Sequence, residues 1–139
     1  MKKLFNIILI FILILSLSAC SDPILGNSIG AVTPKYSSDI HSEEDIEAAI
    51  RVTKYYFIKE FEGCKLLTIT YGGDDMLEKH TDFTESGDVK DVIVLVSDFY
   101  VSPDGGDGSL NQDDVYSNWK WIIIKDSNGN WVHKDHGYA

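Results

Sequence analysis

The apolar and polar positions of this chain form one solid block followed by a series of periodic segments. An almost unbroken apolar run extends from Leu4 to Leu17, with Asn6 and Ser16 its only polar members. Residues 21–41 then show no sustained periodicity. From Ser42 the pattern becomes regular. Ser42 followed by Glu43, Glu44 and Asp45 predicts a capped helix start with acids at its positive end. Ile46, Ala49, Ile50, Thr53, Phe57 and Phe61 recur at helical spacing, and Gly63 supplies a stop. Cys64 to Tyr71 reads as a strand. In the polar stretch 72–90, Met76, Leu77, His80 and Phe83 permit a short helix. Asp91 to Val101 is the strongest strand signal, apolar on both faces over its first half, as in a central strand covered on both sides or shielded by a partner. Ser117 to Lys125 alternates Trp119, Trp121 and Ile123 with Lys120, Ile122 and Ile124. Asp126-Ser127-Asn128-Gly129 signals a hairpin turn with positive backbone angles at Asn128-Gly129. Asn130 to His136 returns as the partner strand. The order predicts an α+β domain: one long N-terminal helix packed on a curved antiparallel sheet of about four strands.

The leading block has a different meaning. Met1-Lys2-Lys3, the short apolar run and the small residues of Leu17-Ser18-Ala19-Cys20 make a secretory signal, and they resemble the bacterial lipoprotein signal, whose cysteine receives the lipid. The run has 14 positions, whereas a membrane-spanning helix needs about 20. Ser21-Asp22-Pro23 then breaks it without a basic stop-transfer cluster. The expected division is therefore a signal peptide over 1–19, a lipid anchor at Cys20 with a flexible tether over 20–41, and one domain over 42–139. Such a protein would sit on the extracytoplasmic face of the cell membrane. A coil of about 20 residues would span roughly 25 Å.

Charge and cysteine content narrow the function classes. The whole chain has a formal charge of −10. Loss of the leader, with its two lysines, leaves ten basic against 22 acidic residues, a charge of −12. That excess argues against nucleic acid, whose binding needs cations to neutralise phosphates. It also argues against lying flat on anionic lipid. With Cys20 assigned to lipid, Cys64 stands alone and no internal disulfide is expected.

Several residue sets could carry chemistry. Asp104, Asp107 and Asp113 lie in a glycine-rich acidic loop of the kind that binds calcium. Counted from Asp107, however, Gln112 stands where such a loop needs glycine, and Asn118 where it needs glutamate. A hairpin loop explains the same residues. Asp126 to Asn130 starts like a calcium loop too, but Trp131 occupies the glycine position. His133 and His136, three apart on a strand, are expected on opposite faces as surface histidines, able to ligate one metal only if the strand frays before His136. His80 with Asp82, and His133 with Asp135, have the composition of general acid–base pairs. Trp119, Trp121, Trp131 and Tyr100 form a possible ligand surface, because aromatics alternating on a curved sheet can line a pocket mouth. Packing against the helix is the competing use. No motif calls for a cofactor.

Ser42-Glu43-Glu44-Asp45-Ile46, Gly105-Gly106-Asp107-Gly108-Ser109-Leu110-Asn111, Trp119-Lys120-Trp121-Ile122-Ile123 and the ending His136-Gly137-Tyr138 together span most of residues 42–138. The arrangement resembles the cystatin-like superfamily that includes nuclear transport factor two-like domains. More narrowly, it is similar to small Firmicutes lipoproteins carrying a domain of unknown function. The resemblance implies a helix wrapped by a bent sheet and a cell-surface setting; it carries over no catalytic residue. Isomerases of the superfamily use pocket carboxylates and a phenol, roles for which Asp98 and Tyr100 are the available side chains. The expectation is a non-enzymatic binding module for a peptide, protein or small molecule. An isomerase- or hydrolase-like enzyme using Asp98, Tyr100 or His133 is the alternative, and a calcium-stabilised module is a third.

Overall fold

The computed structural model describes residues 30–77, 79 and 89–138. The leader, Cys20, His80, Asp82 and Phe83 lie outside the described residues. The elements run α1 (Glu43–Glu60), β1 (Cys64–Tyr71), α2 (Asp74–Leu77), β2 (Asp91–Val101), β3 (Asp114–Lys125) and β4 (Trp131–Gly137). The strands form an open antiparallel meander in the order β1-β2-β3-β4.

Helix α1 begins where its capping residues stand. Ser42 accepts a hydrogen bond from the Asp45 amide (3.1 Å) and donates its hydroxyl to the Asp45 carboxylate (2.7 Å). The buried stripe is Ile46, Ala49, Ile50, Thr53 and Phe57. Thr53 keeps its hydroxyl satisfied by donating to the Ala49 carbonyl at 3.0 Å. This stripe lies on the sheet face carrying Leu66, Ile69, Ile93, Leu95, Phe99, Trp121 and Ile123. Burying each such large apolar side chain contributes about 1.5–3 kcal/mol. The other face carries a second cluster of Val92, Val94, Ile122 and Ile124, against which Met76, Leu77, Val89 and Val132 pack. β2 is thus apolar on both faces because both are covered.

Three findings depart from the sequence pattern. Residues 30–41, expected as tether, lie against the domain. The Val32 amide donates to the Leu67 carbonyl at 2.9 Å, and the Ile69 amide donates to the Val32 carbonyl at 3.1 Å. The ordered unit therefore includes residues before 42. Second, Gly129 has a positive φ of 86° but Asn128 does not. The Asp126 carboxylate instead accepts the amides of Asn128 and Asn130, both at 2.9 Å, and this wraps the turn around an aspartate. Third, the register of β3 with β4 shifts between Ile122 and Ile123. Ile122 pairs with Asp135 and Ile123 with His133, so Lys134 is an extra, bulged residue. A bulge changes which residues share a face.

Gly63 and Gly105 meet where α1 passes into β1. A Cβ added to either would collide with the backbone of the other. The Gly106 amide donates to the Glu62 carbonyl at 2.9 Å, and the Ser102 amide and hydroxyl both donate to the Gly63 carbonyl. The glycine–aspartate loop is thereby pinned beneath the helix C-terminus.

Candidate functional site

That pinning creates a recess. The last turns of α1 supply Tyr56, Lys59, Glu60 and Phe61, and the loop supplies Gly106, Asp107, Ser109 and Leu110. Glu62, Cys64, Trp119 and His136 complete a cavity of about 430 Å³. Its wall is aromatic and its charged lining is mostly acidic. The indole nitrogen of Trp119 is buried and has no hydrogen-bond partner among the described residues. The other two indoles are bonded: Trp121 donates to the Ser97 hydroxyl at 2.8 Å, and Trp131 to the Asp45 carboxylate at 2.9 Å. A buried N–H left unpaired is costly, which sets Trp119 apart from the other two indoles.

Beside Trp119, the β4 bulge turns His133 and His136 to the same side. His136 pairs with Trp121 and His133 with Ile123, both residues of the helix-facing core. The expectation of opposite faces fails because Lys134 is extra. His133 Nε2 and His136 Nδ1 stand 3.1 Å apart, and Tyr56 stacks on His133 with ring centres 3.7 Å apart. Burial lowers the pKa of both imidazoles; for His133 the neighbouring His136 acts the same way, and Asp135 opposes in each case. The Cys64 thiol is pushed up by burial first and by Asp107 second. It therefore lacks the thiolate character of a nucleophile.

The four aromatics expected as one surface are separated. Trp121 is fully buried at 0% exposure. Trp131 fastens the sheet to the helix start through Asp45, with the Lys125 ammonium 5.1 Å from its ring centre. Tyr100 alternates with the buried Phe99 and Val101, so it stands on the face turned away from the helix. There it donates to Asp113 at 2.7 Å, a bond that raises the phenol pKa. Only Trp119 of the four lines the cavity. Asp98 shares the Tyr100 face and accepts the Asn118 amide at 3.0 Å, so neither residue joins His133.

Asp104, Asp107 and Asp113 are exposed. Asp107 is occupied by the amide (2.9 Å) and hydroxyl (2.5 Å) of Ser109, and these hydrogen bonds lower its pKa. Among the described residues, no group of three or more His, Cys, Asp or Glu side chains is placed to hold a metal ion.

Sequence reasoning missed His41, which fell in the expected tether. Its side chain is 1% exposed. Nε2 lies 3.0 Å from Asp91, and Nδ1 lies 3.1 Å from the Tyr71 hydroxyl. Tyr71 in turn donates to Asp74 at 2.7 Å, and Ser38 donates to the same carboxylate at 2.6 Å. Burial, followed by the Asp74 hydrogen bond, pushes the Tyr71 phenol up to about 12. The chain of bonds ties segment 38–41 to β1, α2 and β2. The aromatic Tyr36, packed on Tyr71, was the available signal. A second cavity of about 480 Å³ lies under this segment. It is larger than the first but has no unpaired buried side-chain donor among the described residues.

Comparison with protein-family models, with curated proteins and with solved structures returns no match. Among the described residues, no helix is long and apolar enough to cross a membrane.

Proposed function

We propose that this chain is a lipid-anchored binding module of the extracytoplasmic membrane face, attached through Cys20, with its ligand site in the Trp119 cavity. The observation that carries this reading is the unpaired, buried indole N–H of Trp119 in an aromatic recess. The ligand class is a cationic peptide or small cationic molecule with an acceptor group. Glu60, Glu62 and Asp107 outnumber Lys59 around the recess, and Tyr56, Phe61 and Trp119 are among its lining residues, aromatic rings being the groups that attract cations. The one-helix, four-strand arrangement is compatible with a cystatin-like or nuclear transport factor two-like fold. Titration of the full chain in detergent micelles with the tripeptide Gly-Lys-Gly is expected to give saturable binding that Trp119→Ala removes and that salt weakens. Equal binding of Gly-Glu-Gly, or undiminished binding by Trp119→Ala, contradicts the reading.

A further inference from the structure

The bulge at Lys134 gives the β3–β4 edge a pair of imidazoles that the strand period alone would keep apart. Their spacing has a chemical meaning. Two nitrogens bound to one metal at about 2.0–2.1 Å lie about 2.9 Å apart at a right angle and about 3.4 Å apart at a tetrahedral angle. His133 Nε2 and His136 Nδ1 are 3.1 Å apart, within that bite. Tetrahedral ligation also puts the two ring centres about 5 Å apart; here they are 5.1 Å apart.

We propose that His133 and His136 form a two-nitrogen site for a divalent transition-metal ion of the Cu(II), Ni(II) or Zn(II) kind, held on the helix-facing side of β4. Imidazole suits these metals in preference to calcium or magnesium. Each neutral ring carries one proton, so both facing nitrogens become donors when each ring holds its proton on the other nitrogen. No proton need leave the pair. Tyr56, stacked on His133, restricts one ring. Both histidines are half-buried, which leaves a path from solvent, and the negative chain attracts cations. No third His, Cys, Asp or Glu joins the pair among the described residues. The remaining coordination positions are therefore open to water, and His136 also lines the Trp119 cavity. The site adds to the cavity reading without depending on it, because the pair can chelate whether or not the cavity takes an organic ligand.

The test uses the untagged full chain in non-ionic detergent, titrated with nickel chloride while tryptophan fluorescence is followed. Trp121 and Trp119 have ring centres 5.2 Å and 5.9 Å from that of His136, so a bound paramagnetic ion quenches them. Saturable one-to-one quenching is expected, with affinity lower by on the order of tenfold or more in both His133→Gln and His136→Gln. Circular dichroism shows whether each variant keeps its fold. A copper(II) spin-resonance spectrum of the unaltered protein, independent of any variant, is expected to show nitrogen ligation. Absence of saturable quenching up to millimolar nickel overturns the proposal. So does unchanged affinity in either folded variant, or a copper spectrum with oxygen ligands alone.

Discussion

Asp45 shows how much one side chain carries. It caps its own helix through Ser42, and its Oδ1 accepts from both the Lys125 ammonium and the Trp131 indole at 2.9 Å. These hydrogen bonds, those from Ser42 first and from Lys125 and Trp131 next, hold its pKa at about 2, below the ordinary 3.8. A depressed carboxylate contributes stability that is present above pH 3.8 and lost as pH falls through about 2. Asp45→Asn should therefore lower stability at pH 7 by about 1 kcal/mol, a modest value because the ion pair is partly in water. In urea titrations the gap between variant and parent should close as pH approaches 2. A gap that persists undiminished there contradicts the charge assignment. The capping residues were legible in the sequence because capping is local. The partners Lys125 and Trp131, 80 and 86 positions away, were not.

At the scale of elements, periodicity located α1 and all four strands, since a buried face leaves a repeat in the sequence. β1 and β2 fall where the pattern placed them, and β3 begins three residues earlier than expected, at Asp114. What periodicity misses is a single inserted residue. Lys134 breaks the alternation of β4 and brings His133 and His136 together, and no residue type announces such a bulge. The composition of the glycine–aspartate loop suits a calcium loop or a hairpin; its geometry also answers a packing demand, the close approach of Gly105 to Gly63. Gly105 does not need a left-handed backbone, so Gly105→Ala isolates the collision. It should destabilise by about 1–3 kcal/mol, measured as a lower urea midpoint. Gly108→Ala is the comparison, since a Cβ there meets nothing within 4 Å, although its φ of 90° adds backbone strain. If Gly105→Ala has no effect, the helix–loop contact is not closely packed.

For the whole molecule, the main revision concerns where the domain starts. Lack of periodicity over 21–41 read as a tether, but a segment can dock through scattered contacts that leave no repeat. Val32 bonds the backbone of β1, Tyr36 packs on Tyr71, Ser38 bonds Asp74, and His41 reaches both Tyr71 and Asp91. A domain beginning at residue 42 should therefore be less stable than one beginning at residue 30, by about 3 kcal/mol, from the lost hydrogen bonds and buried contacts. Equal urea midpoints would return 30–41 to the tether.

The ligand proposed for the Trp119 recess would act on the indole nitrogen itself. A proton–nitrogen spectrum of the indole groups of the three tryptophans, recorded on the full chain in micelles during titration with Gly-Lys-Gly, reads that nitrogen directly. Trp121 and Trp131 already donate within the protein, so their signals should hold still, whereas the Trp119 signal should move downfield to saturation as it gains an acceptor. A Trp119 signal that stays fixed while the peptide binds, or three signals that shift together, would contradict the account.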